Sequence, residues 1–273
     1  MNKKINWWAT GLLLIGSLLI IIPLYMAFIV SLKNPEQLNR SILAIPDSIQ
    51  ISNYLQAIKM TNYFESLKNS VYVTLPTVAV VLIVNSMVSY AIARNMDKKY
   101  FKFLYYYFIS AMFIPFPLIM LPIVKEMAIL RLDNLNGLIL LYIVYALPLN
   151  IFIYVGYIKS LPRSIEEAAI IDGANVWQIF WKIIFPVLKP INATIAILTA
   201  LKAWNDFLLP LLMISDRSKM TLPLVQHVFQ SQFSTNYSLA FASYILALLP
   251  MLLVYIIAQK KIISGVMRGS VKG

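Results

Sequence analysis

The chain has 273 residues, of which 60% are hydrophobic and only 12% are charged, and its net charge is +12 at pH 7. Soluble domains carry roughly 25% charged residues, so this composition indicates an integral membrane protein. The sequence contains no cysteine, which excludes disulfide and thiolate chemistry. The basic residues fall in short loops between apolar runs, which is typical of topology signals. A nucleic-acid partner would require a clustered basic face instead.

Six runs of the sequence are long and apolar enough to cross a bilayer as helices, which takes about 20 mainly apolar residues. The sequence therefore predicts an all-α membrane protein with six transmembrane helices and a single transmembrane domain over residues 1–273. The first run is longer than the roughly 7–15 apolar residues of a signal peptide, so it is predicted to be a retained span. Pro115, Pro117 and Pro122 predict a kink in the third span. The predicted spans are residues 9–32, 69–93, 103–124, 134–158, 190–214 and 239–259.

The distribution of basic residues predicts that both termini are cytoplasmic. On one side of a six-span arrangement, the loops and tails are rich in lysine and arginine. On the opposite side, eight basic residues are diluted by six acidic ones. The first side is therefore predicted to be cytoplasmic, together with the long loop 163–189 between spans four and five. Its basic residues are Lys3, Lys4, Arg94, Lys98, Lys99, Lys102, Lys159, Arg163, Lys182, Lys189, Lys260, Lys261, Arg268 and Lys272.

A polar segment interrupts the apolar sequence inside this loop, and it reads EEAAIIDGANVWQIFWKIIFP over residues 166–186. Ser164 and Glu167 have the spacing of a capping box, which predicts the start of a short helix. The dipeptide Asp172-Gly173 predicts a turn that reverses the chain. The segment is therefore predicted to be a helical hairpin.

The second arm of the hairpin is predicted to begin near Asn175, because apolar residues follow at helical spacing. On the residues alone, two interpretations remain open. The hairpin could be an amphipathic element that lies on the membrane surface. Alternatively, the small side chains of Ala168 and Ala169 beside an acid allow close approach of another protein.

The segment resembles the EAA loop of ABC importer permeases, in which Glu-Ala-Ala precedes a Gly, an Ile and a Leu-Pro pair at fixed spacing. Phe185 stands where the family usually has Leu and keeps its bulk. Other stretches, such as IPLYMAFIVSLK in span one and AWNDFLLPLLMISDRSKMTLPL from span five into the loop after it, are similar to carbohydrate importer permeases. The likeness covers nearly the whole chain and points to the subfamily of the smaller permease subunit of the maltose importer. The matching loop residues are Glu167, Ala168, Ala169, Gly173, Ile183 and Pro186.

The resemblance implies a type I ABC importer fold and a role as one permease subunit that moves a carbohydrate across the bacterial cytoplasmic membrane. It implies four kinds of partner besides the lipid: the carbohydrate, a second homologous permease, two ABC ATPase subunits and an extracytoplasmic sugar-binding protein. The loop would dock in a cleft on the ATPase, where Glu167 meets a basic residue, Asp172 joins the contact and Gly173 allows the tight turn. The chain has no glycine-rich nucleotide motif, so we expect no enzyme activity, cofactor or metal of its own.

Span five is the most polar span, and Lys202 and Asp206 lie four residues apart on one helical face. Ionisable residues within spans usually face the bundle interior or a watery cavity. Amide, carboxylate and aromatic groups suit a hydroxyl-rich ligand, so Trp204, Asn205 and Asp206 are candidates for the substrate pathway. The alternative is that Lys202 and Asp206 neutralise each other while Trp204 packs in the core.

Spans two and four carry further polar and aromatic residues. Asn85 is the best candidate for a pathway residue in span two, although such residues also join helices through hydrogen bonds. Tyr142 and Tyr145 in span four are predicted to be packing or interface aromatics.

Two other functional classes are considered. A self-sufficient secondary transporter or channel commonly shows internal repeats or a buried ion relay, and the sequence has no repeat between its halves. A membrane-embedded enzyme would need a cluster of catalytic carboxylates, histidines or metal ligands, and no such cluster is visible. ATP-dependent uptake would separate the importer from the secondary transporter.

Overall fold

The computed structural model describes residues 7–232 and 236–270, and its regular secondary structure is helical throughout these ranges. The predicted all-α class is therefore confirmed. Lys3, Lys4 and Lys272, which enter the orientation argument, lie outside the described residues. In chain order, the helices are α1 (Trp7–Ser31), α2 (Pro35–Arg40), α3 (Ser52–Met60), α4 (Tyr63–Arg94), α5 (Lys99–Ser110), α6 (Phe116–Ile129), α7 (Leu135–Lys159), α8 (Ser164–Ile171), α9 (Val176–Ile179), α10 (Phe185–Val187), α11 (Lys189–Asn205), α12 (Leu208–Met213), α13 (Leu222–Gln232) and α14 (Tyr237–Ser270).

The chain divides into two compact units. The first consists of Met1–Leu67 and Leu222–Leu252, and the second of Lys68–Thr221 and Leu253–Gly273. In the first unit, the Ser31 hydroxyl at the end of α1 lies 2.6 Å from the Tyr54 hydroxyl of α3. This hydrogen bond joins the end of the first long apolar helix to α3. The small core of this unit is formed by Ala57, Ala242 and Leu246.

Four helices are long and apolar enough to cross a membrane without a break. They are Trp7–Ser31, Tyr63–Arg94, Leu135–Lys159 and Tyr237–Ile257. Two further pairs of helices pass the same test together but are sharply bent. The described residues therefore hold four such spans, or six if each bent pair counts as one, which agrees with the predicted fold class.

The predicted third span, 103–124, is one of these bent pairs. The segments Lys99–Phe113 and Phe116–Ile129 meet at 104°. Pro115 lies at the break and has an extended backbone. The helix breaks there because proline cannot donate the hydrogen bond that would continue it. The predicted kink is confirmed, and it is sharp enough to divide the span into two helices.

The predicted fifth span, 190–214, is also discontinuous. Helix α11 ends at Asn205, Asp206 has an extended backbone with φ −71° and ψ 129°, and α12 begins at Leu208. Upstream, the segment Val176–Val187 meets α11 at an angle of 75°. A polar residue predicted to lie within a helix therefore lies at a break between helices.

The core of the second unit joins the helical hairpin to the long helices. Val81 of α4, Ile151 of α7, Ile184 of the hairpin and Ile195 of α11 are all completely shielded from solvent. The Tyr154 hydroxyl of α7 donates a 2.6 Å hydrogen bond to Asn192 Oδ1 of α11. The hairpin is thus packed on the long helices and is part of the same core.

Candidate functional site

The first arm of the hairpin (residues 164–187) presents two different faces. Glu166 and Ala169 are buried, whereas Glu167 and Ala168 are exposed. Residues three apart share a helical face, so the EAA motif is divided between them. Glu167 and Ala168 face outward, and Ala169 faces the core.

The start of α8 differs from the prediction. Ser164 is the first helical residue and not the cap, and Arg163 in the cap position makes no side-chain capping bond. The turn agrees with the prediction, because Gly173 has a φ of +78°, a conformation that glycine adopts without steric cost. An added Cβ would meet nothing within 4 Å. Glycine is therefore needed there for its backbone conformation, and the adjacent Asp172 is exposed.

The second arm begins where predicted. The Asn175 side chain accepts from Gln178 N at 2.9 Å, and the Gln178 side chain accepts from Asn175 N at 2.9 Å, which is a reciprocal capping box. One α-helical turn then passes into a π-helical segment, Phe180–Ile184. Such segments are rare in proteins, and those that occur frequently lie at functional sites. Of the other predicted coupling residues, Ile183 is half-buried and Pro186 is exposed.

The tip of the hairpin carries exposed apolar side chains. They come from the end of the first arm and the start of the second, on both sides of the glycine turn. Large apolar groups in contact with water at one place mark an interaction surface more often than single exposed residues do. These side chains are Ile170, Ile171, Val176 and Trp177.

A buried ion pair joins the first arm to the end of α4. The Glu166 Oε1 oxygen lies 2.7 Å from Arg94 Nε and 2.6 Å from a terminal nitrogen of the same guanidinium. The Tyr90 hydroxyl donates to Glu166 Oε2 at 2.8 Å. The Tyr90 ring also packs on Phe180 of the second arm, with ring centroids 5.6 Å apart. Both arms therefore contact the last turns of α4.

A second polar site is a cavity of about 330 Å³. Asp206 lies at the break between α11 and α12, where its Oδ2 accepts from the Tyr142 hydroxyl at 2.8 Å and its Oδ1 accepts from Leu208 N at 3.1 Å. The Tyr145 ring meets the Phe116 ring edge-on, with centroids 5.6 Å apart. The cavity is lined by Phe116, Tyr142, Tyr145, Leu201, Lys202, Asn205, Asp206, Leu208 and Leu209.

Lys202 and Asp206 both line this cavity. The Lys202 ammonium lies 5.6 Å from the centroid of the Tyr145 ring, in a cation–π arrangement. A smaller cavity of about 60 Å³ shares Tyr142, Tyr145 and Lys202 with the first and is also lined by Asn150. The Tyr145 hydroxyl and Asn150 Nδ2 have no hydrogen-bond partner within the described residues. Both cavities thus contain polar groups with free hydrogen-bonding capacity.

The predicted pathway residues are placed differently from one another. Asn205 and Asp206 line the larger cavity. Trp204 is buried and Asn85 is fully buried, and neither lines these two cavities. Within the described ranges, no group of three or more His, Asp or Glu residues could hold a metal ion. The site can offer hydrogen bonds, one charge of each sign and aromatic faces.

Several residues of these sites do not follow from the sequence reasoning. Tyr142 and Tyr145 are predicted to be packing or interface aromatics, and the structure shows that they also line the cavity beside Asp206. Arg94 was interpreted only as a topology signal, yet it binds Glu166. The available signals were a tyrosine pair three residues apart in a span and an arginine in the last turn of a helix.

Comparison with known proteins shows a family model and several relatives that are similar to this chain. The family model described as "binding-protein-dependent transport system inner membrane component" matches residues 85–268. The multiple sugar-binding transport system permease protein MsmG of Streptococcus mutans is 44% identical over 99% of this chain and 99% of its own length. The probable starch degradation products transport system permease protein AmyC of Thermoanaerobacterium thermosulfurigenes is 35% identical over 96% of each chain.

A solved structure shares the fold. It is a chain of a bacterial ABC transporter involved in the import of the acidic polysaccharide alginate, which aligns with a TM-score of 0.79 at 23% identity, over 95% of this chain and 99% of that chain. The expected type I importer fold and the resemblance to ABC importer permeases are thereby confirmed. The apolar helices and the family together place the protein in the cytoplasmic membrane as a multi-pass transport subunit. The chain belongs to the family of binding-protein-dependent transport system inner membrane components.

Proposed function

We propose that this chain is the carbohydrate-specific permease subunit of an ABC importer, coupled to its ATPase through the hairpin. The relatives named above are permeases for multiple sugars and for starch degradation products. Similarity over nearly the whole chain supports a carbohydrate as the substrate here. Membership of the family implies an ATPase and a binding protein as partners.

The single observation that carries the coupling proposal is the exposed face of the hairpin. Glu167 and Ala168 are exposed on α8, and Ile171 and Trp177 are exposed beside the turn. A charged group next to apolar surface suits a protein partner better than lipid alone. We assign this face to the ATPase subunit, with Gly173 and Asp172 in the turn and Ala169, Ile183 and Pro186 supporting the arms.

The complete assembly that we propose has both termini of this chain in the cytoplasm and the hairpin on the same side. A second homologous permease completes the pathway, two ATPase subunits bind the two permeases, and an extracytoplasmic protein delivers the sugar. In this proposal, residues 1–273 form a single transmembrane domain.

The cavity at the break in span five is proposed to be part of the sugar pathway. Asp206 can accept hydrogen bonds from hydroxyl groups, and Asn205 can both accept and donate them. The rings of Tyr142 and Tyr145 provide flat apolar surface. Trp204 and Asn85 do not line the cavity and would support its walls through packing. Asp206→Asn should lower uptake of a sugar chosen from labelled maltotriose and raffinose while leaving assembly intact, and unchanged uptake would return Asp206 to a structural role.

The test of the coupling proposal is affinity purification of the tagged chain from gently solubilised membranes. We expect the wild type to recover an ABC ATPase and a second permease. Glu167→Lys should lose the ATPase and keep the second permease, because the introduced ammonium repels a basic docking residue.

Asp97→Lys provides the matched control, since Asp97 is an exposed acid on the same predicted side but outside the hairpin. Full recovery of the ATPase by Glu167→Lys would remove Glu167 from the interface. Purification of the wild-type chain alone would favour the self-sufficient transporter instead.

A further inference from the structure

Two adjacent glutamates of α8 face opposite surroundings. Glu167 is exposed, whereas Glu166 is 9% exposed and both of its carboxylate oxygens are bound by side chains of α4. We infer that Glu166, Arg94 and Tyr90 form a mechanical link that makes the hairpin and the end of α4 move as one body. The inference rests on the proposed function for the origin of the movement, which is the ATPase docked on the hairpin.

The geometry of the link fixes orientation as well as distance. Arg94 contacts Oε1 through two nitrogens, at 2.7 and 2.6 Å, while Tyr90 holds Oε2 at 2.8 Å. Charge-assisted hydrogen bonds are short and strong, and the planar guanidinium presents its donors in a rigid fork. A carboxylate held at both oxygens cannot rotate without breaking one of these bonds.

Arg94 also connects the end of α7. Both of its terminal nitrogens lie 3.4 Å from the Leu161 carbonyl oxygen, two residues beyond that helix. In return, Arg163 donates to the Arg94 carbonyl oxygen at 3.2 Å. One side chain thus bridges α4, the end of α7 and the first arm of the hairpin.

A buried position distinguishes this link from ordinary surface charge. The Arg94 and Glu166 side chains are 12% and 11% exposed, whereas those of the Arg40–Asp47 pair, 3.9 Å apart, are 76% and 79% exposed. Exposed pairs contribute little. Buried pairs can often be replaced by well-packed apolar residues without loss of stability, so stability alone does not account for this one. A need for fixed geometry between two elements that move together does account for this buried pair.

The experiment measures whether the two elements move together. Because the chain has no cysteine, Ala91→Cys on α4 and Lys182→Cys on the second arm create a pair of spin-label sites, both exposed. The distance between the labels is measured by double electron–electron resonance in the complete complex in nanodiscs. Nucleotide-free samples are compared with samples trapped by ATP and vanadate.

In the otherwise wild-type complex, we expect the distance distribution to stay unchanged on trapping. In Glu166→Gln, the hairpin should move without α4, and the distance should shift by about 2 Å, the upper end of the helix shifts seen at switching interfaces. The double variant Arg94→Gln, Glu166→Gln should shift likewise, and it leaves no unpaired buried charge that could prevent folding. Lys102→Gln, a charge loss at an exposed position nearby, should leave the distance unchanged.

Two results would overturn the link. One is a distance that shifts in the wild type, and the other is a distance that stays fixed in both link variants while their complexes remain assembled. In either case recovery of the ATPase with the wild type would leave the importer assignment standing. Failure of the wild type to recover an ATPase would instead refute the proposed function.

Discussion

At the base of the hairpin, the buried carboxylate of Glu166 has both oxygens occupied, by Arg94 and Tyr90. In the middle of α4, Asn85 is also fully buried, yet neither atom of its amide has a hydrogen-bond partner among the described residues. Other buried polar atoms of the spans share this condition. They are Thr74 Oγ1, Ser89 Oγ, Tyr145 Oη, Asn150 Nδ2, Ser238 Oγ and Ser243 Oγ.

The difference indicates where the chain is complete by itself and where it is not. A buried polar group without a partner costs about 1–3 kcal/mol, so such groups are retained where water, a ligand or another subunit supplies the missing bond. The link at the hairpin needs nothing from outside. Among these groups, those of Tyr145 and Asn150 line the cavities and are therefore the places where water or a passing sugar is expected to contribute.

The largest expected effect tests the paired side of this comparison. Glu166→Ala leaves the Arg94 charge buried without its partner, and breaking such a pair lowers the free energy of unfolding by about 3–5 kcal/mol. Thermal unfolding of the solubilised chain would measure it. Glu167→Ala removes the same group one residue away at an exposed position, and it should change stability by less than about 0.5 kcal/mol. Equal losses would contradict the division between the two glutamates.

A pair of tyrosines sharpens the comparison within one helix. Tyr154→Phe in α7 removes the donor to Asn192 Oδ1, and the abandoned buried acceptor should cost about 1–3 kcal/mol. Tyr145→Phe removes a hydroxyl that has no partner among the described residues, so stability should stay constant or rise. The two melting temperatures, measured side by side, decide the matter. A loss in Tyr145→Phe would mean that its hydroxyl is already satisfied.

The turn of the hairpin provides a smaller effect. Gly173→Ala meets no steric obstacle but forces an alanine to a φ of +78°, which costs about 1–2 kcal/mol. Gly156→Ala in α7 also meets nothing within 4 Å, but it lies in a helix, where alanine is favoured by about 1 kcal/mol. The midpoint of chemical denaturation should therefore fall for Gly173→Ala and rise for Gly156→Ala. A stabilising effect of Gly173→Ala would show that the turn does not require its left-handed backbone.

The smallest expected effect on stability belongs to Asn85. Replacing an unsatisfied buried amide by an apolar group of similar shape is nearly neutral or stabilising, so Asn85→Leu should not lower the melting temperature of the isolated chain. A destabilised isolated chain would show that Asn85 is satisfied within its own fold.

Local features of this chain could be predicted from the sequence, and contacts distant in the sequence could not. The Gly173 turn and the start at Asn175 depend on neighbours within a few residues, and both agree with the structure. Glu166 and Arg94 are 72 residues apart, so nothing in either local pattern indicates that they meet. Ser164 had the spacing of a cap, but the preceding residue already takes a helical backbone, and the capping box forms in the second arm instead.

The breaks within the spans were predictable to different degrees. Pro115 lacks a backbone donor, so a kink could be expected, although its angle could not. Asp206 was placed within a continuous span because an apolar sequence surrounds it. Its carboxylate instead accepts the backbone amide of Leu208, a local hydrogen bond that competes with the helix.

The exposed apolar tip of the hairpin has a consequence for the life of the protein before assembly. Without the proposed ATPase partner, the chain leaves Ile171 and Trp177 uncovered, at 86% and 63% exposure. An exposed apolar patch that no partner covers is an aggregation liability. In the proposed assembly, docking of the ATPase would cover the same side chains. If the hairpin docks on the ATPase as proposed, the same surface would also mark a permease that is still unassembled.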